Sequence, residues 1–126
     1  MPSIVAEKSY HFAARIVRMT RALKRRHVER ELLSQLLRSG TSVAANLHES
    51  VYGNSRGDFL YRIRIALKEC AETHMWLRLL HDLEDVSDKE YQSICTECEE
   101  LLKMMTAISV TMQKSEASPP PPHPSA

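Results

Sequence analysis

Between Tyr91 and Met112 the residues Tyr91, Ile94, Cys98, Leu101, Met105, Ile108 and Met112 follow one another at spacings of three and four. A strand puts every second residue on one face, whereas a helix of 3.6 residues per turn gathers positions three and four apart. Three heptads in this register predict an amphipathic helix whose stripe has to lie against another apolar surface. The same period recurs upstream. Phe12, Ile16, Met19, Thr20 and Leu23 mark a helix over about residues 6 to 25, and Leu32, Leu33, Leu36, Leu37, Val43, Ala44 and Leu47 another over about 28 to 51. A third runs from Ser55 to about Leu83, with Phe59, Ile63, Ala66, Leu67, Cys70, His74 and Leu77 on its core face.

Punctuation between these stretches is local. Gly53-Asn54-Ser55 is a turn cluster, and Ser55 with Asp58 three residues on resembles a capped helix start; Ser87 with Glu90 is a capping box before the fourth helix. Arg38-Ser39-Gly40-Thr41-Ser42 interrupts the second stripe, since glycine costs about 1 kcal/mol in a helix interior. Positions 36, 40, 43 and 47 nevertheless keep phase across it, so a continuous helix is expected, with small residues that let a neighbour approach closely. Four long helices with short connections predict an all-α, antiparallel up-down-up-down four-helix bundle over residues 1–114. Residues 115–126 hold five prolines and are expected to form a disordered tail; the four at 119–122 could present an extended polyproline ligand to a partner protein.

With 43% hydrophobic and 26% charged residues the composition is that of one ordinary globular domain. No leading basic-then-apolar segment and no apolar run near 20 residues appears, which points to a cytoplasmic protein without a membrane span. Cys70, Cys95 and Cys98 are odd in number and expected to be reduced thiols. The net charge of +1 conceals a polarity: residues 1 to 38 carry nine Lys/Arg against three Asp/Glu, and residues 80 to 114 carry three against eight.

Chemistry finds little support. A di-iron bundle needs Glu-x-x-His on two helices, and no Glu here has a His three residues on. His11, His27, His48, His74 and His81 are scattered without carboxylates placed for a metal, so neither metal nor cofactor is expected. Cys95-Thr96-Glu97-Cys98 lacks the second pair or the βαβ setting that a zinc or redox motif wants, and reads as small buried hydrophobes. Gly53-Asn54-Ser55-Arg56-Gly57 lacks the strand and the Lys of a phosphate loop. An enzyme built on Glu49, Glu69 and Glu72 would need two carboxylates converging on open volume. The reading is non-enzymatic.

Three sets of residues stand out. Arg38, Ser42, Asn46, Glu49 and Glu69 are polar positions in apolar surroundings; they are expected to form a hydrogen-bonded network between the second and third helices, with a binding role for some left open. Ile65, Trp76, Leu79 and Leu83 make a second apolar stripe on the third helix, a candidate oligomer interface. Arg15, Arg18, Arg21, Lys24, Arg25, Arg26 and Arg30 offer a candidate phosphate-facing surface, though without interleaved aromatics for base stacking.

Arg38-Ser39-x-x-Ser42-Val43-x-x-Asn46-Leu47-x-Glu49 resembles the Arg-Ser-x-x-Ser-Ile-x-x-Asn-Ile-x-Glu block of the bacterial four-helix-bundle proteins encoded in intervening sequences of 23S rRNA genes. The likeness continues through Ser55–Phe59, Ile65–Glu69 and Glu72–Leu80 and spans roughly residues 8 to 112. Many relatives place Gly after the Glu of that block, where this chain has Ser50. The resemblance implies a bundle without established biochemical activity. It also implies a homopentamer, with the related accessory proteins of diversity-generating retroelements binding nucleic acid and a reverse transcriptase. Two functions follow as expectations: an oligomeric scaffold that holds RNA or DNA on the basic face of helix one, or an adaptor that docks a protein such as a reverse transcriptase without touching nucleic acid.

Overall fold

The computed structural model describes residues 3–53 and 55–117. It consists of α1 (Ser3–Arg25), α2 (Arg30–Val51), α3 (Arg56–Asp82) and α4 (Asp88–Ala117), with no strand among the described residues. Each helix packs against its neighbour in sequence, α1 closes the square against α4, and the backbones of the diagonal pairs do not approach closely. This is the expected antiparallel bundle. α4 continues three residues past Lys114, where its apolar pattern stops, and the proline-rich segment from residue 118 lies outside the described residues. Among the described residues no helix is long and apolar enough to cross a membrane.

The core runs along the bundle axis as Phe12, Ile16 and Leu23 from α1, Leu36, Val43 and Leu47 from α2, Ile63, Cys70 and Leu77 from α3, and Ile94, Cys98, Leu101 and Met105 from α4. α2 passes unbroken through Ser39-Gly40-Thr41, because the buried Gly40 lies against Ile16 and tertiary packing outweighs glycine's low propensity. The hydroxyl of Ser55 accepts from the Asp58 N–H at 3.1 Å, and Ser87 and Glu90 cap each other reciprocally.

Two connections use a device with no glycine signature. At the end of α1 the N–H of Val28 donates to the Leu23 carbonyl and that of His27 to Lys24, with His27 at φ 65°. At the end of α3, Asp85 donates to Leu80 and Glu84 to His81, with Glu84 at φ 67°. Both are Schellman caps, and buried Val28 and Val86 pack beside buried Leu23 and Leu80.

The expected faces of α3 need correction. Phe59, Leu67 and His74 are half-buried rather than central, whereas Leu60, Thr73 and Leu80 are buried. α3 meets α2 and α4 on two flanks, so its buried arc is wider than one stripe and is shifted toward α2. Thr73 is tolerated there because its hydroxyl reaches the Glu69 carbonyl at 2.8 Å and Ser39 Oγ at 2.9 Å.

Candidate functional site

Cationic side chains on α1 divide into two groups. Toward α4, where backbone contact between helices is thinnest, Lys8 pairs with Glu100, Arg15 Nη1 reaches Glu97 at 2.6 Å and Nη2 reaches Ser93 Oγ at 3.0 Å, and Arg26 donates to the Asp85 carbonyl and sits 3.4 Å from Glu90. Ser87 and Arg26 hold the Glu90 carboxyl below its ordinary range against the burial that would raise it. Arg15 and Arg26, both named with the basic face, are thus spent on this acidic helix. Arg18, Arg21, Lys24, Arg25 and Arg30 are exposed and form no ion pair with any described residue. Tyr10, 58% exposed, borders the shallow groove of about 320 Å³ that Ala13, Ala14, Val17, Arg18 and Arg21 also line. An aromatic ring therefore does accompany the arginines; it lies two turns upstream on the same helix face, which spacing alone had not revealed.

The polar residues between α2 and α3 fall into two clusters. In one, Arg38 bonds Glu69 at 2.8 Å and also Glu72, whose carboxylate accepts from the Trp76 indole N–H at 2.9 Å. The indole N–H and the Arg38 guanidinium hold the Glu72 carboxyl down against partial desolvation, and the two carboxylates in turn raise Arg38. In the other, Asn46 donates to the Ser42 carbonyl and hydroxyl at 2.9 and 3.1 Å, while Arg62 reaches Asn46 Oδ1 at 3.1 Å and Glu49 at 2.7 Å. Arg62, Glu72 and Trp76 are the members that sequence pattern did not assign to these clusters. All three lie on turns of α3 facing the block, a relationship that needs the register of α3 against α2. Each of the carboxylates Glu49, Glu69 and Glu72 is engaged by an arginine.

On the outside of α3, Ile65, Trp76 and Leu79 are half-buried and Leu83 is 54% exposed. Trp76 packs partly against the core, so the stripe is less free than its composition suggests, while Tyr61 and Met75 add exposed apolar area beside it.

Cys95 and Cys98 diverge. Cys98 Sγ lies 3.7 Å from Cys70 Sγ, and each thiol also donates to the other's carbonyl at 3.6 Å. That contact and burial push the Cys98 thiol well up, the opposite of a redox nucleophile. Cys95 Sγ instead faces His74 Nε2 at 3.3 Å and Glu99 Oε1 at 3.7 Å. Burial, the largest influence, raises the Cys95 thiol. Desolvation, followed by the contact with Cys95, pushes the nearby Tyr91 hydroxyl up to about 12, and the Tyr91 ring stacks on His81 at 4.2 Å. The expectation that the histidines lack carboxylates placed for a metal does not hold at His74: the crossing of α3 and α4 brings Glu99 to it from 25 positions away in sequence.

These features define the class: an antiparallel helical bundle whose carboxylates between helices, Glu49, Glu69, Glu72, Glu90, Glu97 and Glu100, meet cations and whose grooves are shallow. The chain belongs to the 23S rRNA-intervening sequence protein family, whose model matches residues 2–107. It is similar to the crystal structure of a protein with unknown function from the S23 ribosomal protein family of Bacteroides thetaiotaomicron, at 40% identity and a TM-score of 0.81, over 83% of this chain and 97% of that one. No curated protein matches this chain.

Proposed function

We propose that this protein is a non-enzymatic subunit that binds RNA or DNA through the outer face of α1 and the start of α2. The observation that carries it is the set of five exposed cations without ion-pair partners among the described residues, Arg18, Arg21, Lys24, Arg25 and Arg30, beside the exposed Tyr10. Cations already neutralised by carboxylates release no counterions on meeting phosphate, whereas unpaired ones do, and that release drives sequence-independent binding. Tyr10 supplies one stacking surface for a splayed base. The test is filter binding of structured RNA and of DNA across a salt series. Retention that falls steeply with salt supports the reading, and no retention at low salt sinks it.

A second reading, a protein-interaction adaptor, is favoured by the outer side of α3, where Tyr61, Met75 and Leu83 are 60%, 45% and 54% exposed. Such a face suits contact between copies, the homopentamer that the family resemblance implies, or a docked protein such as a reverse transcriptase. Sedimentation equilibrium of the wild type and of Leu83→Glu separates these. A mass that falls in the variant assigns the face to self-association, whereas an unchanged oligomer leaves it for another partner.

A further inference from the structure

We propose that His74, Cys95 and Glu99 form a binding site for a divalent transition-metal ion, with zinc the best fit to the ligand set. A ring nitrogen of His74, the Sγ of Cys95 and a carboxylate oxygen of Glu99 all lie within 4.8 Å of one another, and among the described residues no other three His, Cys, Asp or Glu side chains converge in this way. The inference is independent of the nucleic-acid reading, because it concerns the α3–α4 groove and not the outer face of α1.

Zinc–ligand bonds of about 2.0–2.3 Å at tetrahedral angles put neighbouring ligand atoms about 3.5 Å apart. The observed Sγ···Nε2 and Sγ···Oε1 separations of 3.3 and 3.7 Å bracket that edge. The ligands sit on regular backbone. Cys95 and Glu99 are one turn apart on α4, and His74 faces them from the middle of α3. Nearby carboxylates are committed elsewhere, Asp88 to His81, Glu90 to Ser87 and Arg26, Glu97 to Arg15 and Glu100 to Lys8, but Glu99 has no ion pair among the described residues.

Charge and softness point the same way. A thiolate, a carboxylate and a neutral imidazole bring two negative charges to a divalent ion, so the loaded site is neutral overall. A sulfur ligand selects a borderline-soft metal over magnesium or calcium. Binding replaces the S–H bond of Cys95 with a metal–sulfur bond and releases one proton to solvent. The fourth position opens on a groove of about 330 Å³ lined also by Tyr91, Gln92 and Thr96, which leaves room for water or an external ligand. Three protein ligands and one open position are the arrangement of a zinc site accessible to exchange, not of a closed structural one.

The test is a titration of the reduced full chain with Co²⁺, a spectroscopic stand-in for zinc, followed by displacement with Zn²⁺. The expected result is one Co²⁺ per chain, with a thiolate-to-cobalt charge-transfer band and the strong visible bands of tetrahedral geometry, both lost on adding zinc. Cys95→Ser should remove the charge-transfer band. Glu99→Gln, at an exposed position where folding is safe, should weaken binding by about 100-fold or more, beyond the 10–100-fold typical of losing a supporting hydrogen bond. Glu97→Gln, which lies toward α1, should leave affinity unchanged. Absence of the charge-transfer band in the wild type, its persistence in Cys95→Ser, or equal affinity in Glu99→Gln would each overturn the site.

Discussion

A Cβ built on Gly40 of α2 would stand 2.8 Å from Cγ2 and 2.9 Å from Cγ1 of Ile16 on α1, closer than carbon atoms pack. The contact also includes Ile16 Cβ at 3.1 Å, and Ile16 is fully buried and β-branched, so it cannot rotate away cheaply. Gly40→Ala gains about 1 kcal/mol of helix propensity but loses about 1–3 kcal/mol to overpacking. Net destabilisation of up to about 2 kcal/mol is expected in urea unfolding, and pairing it with Ile16→Val should recover part of the loss. A variant more stable than wild type would show that α1 and α2 separate without cost.

Glu84 holds φ 67° to close the cap that ends α3, a conformation that costs a side-chain-bearing residue about 1 kcal/mol relative to glycine. Glu84→Gly is therefore expected to raise stability by up to about 1 kcal/mol, seen as a higher thermal midpoint, while Glu84→Ala, which keeps the Cβ, should not. Equal midpoints for the two variants would remove the conformational explanation.

Glu72 has its acidity increased, so its folded value lies below the ordinary 4.5. Its contribution to stability is complete above that value and is lost as pH falls through the lower, folded one. Stability should decline below about pH 4.5, and Glu72→Gln should flatten that part of the acid limb. The neutral-pH cost should stay below about 1 kcal/mol, because Arg38 is half exposed and keeps Glu69. An acid limb as steep in Glu72→Gln as in wild type would assign the pH dependence to other carboxylates, Glu90 first.

If the α1 face binds nucleic acid, its cations should differ according to their partners. Replacing Arg18, Arg21 and Arg25 together with Gln should reduce the slope of log K against log salt by about 2.7 for duplex DNA, at about 0.9 per phosphate contact. Arg15→Gln should change the slope by much less, since Glu97 already neutralises that guanidinium at 2.6 Å. Equal effects per residue would mean that binding follows net charge and not this surface.

Legibility followed the range of the interaction. All four helices, the serine caps of α3 and α4 and the passage of α2 through Gly40 were readable because periodicity and capping act within a few residues. The ends of α1 and α3 were also placed, near residues 25 and 83, but the left-handed caps that make them were not, because His27 and Glu84 occupy positions usually marked by glycine. The basic residues were visible as a set, but their division was not. Whether Arg15 is free or bound to Glu97 depends on a residue 82 positions away.

Sequence by itself determined that this chain is an all-α bundle, since hydrophobic spacing dictates which face each helix must bury. Its signature block also pointed to the family. Tertiary structure alone decided which charges are left over and which polar atoms meet. The Arg38–Glu72–Trp76 and Arg62–Asn46–Glu49 clusters, and the convergence of His74 with Cys95 and Glu99, depend on the rotation and register of one helix against the next. A period of three and four specifies the buried stripe but leaves the alignment of the polar flanks to the packing of the whole bundle.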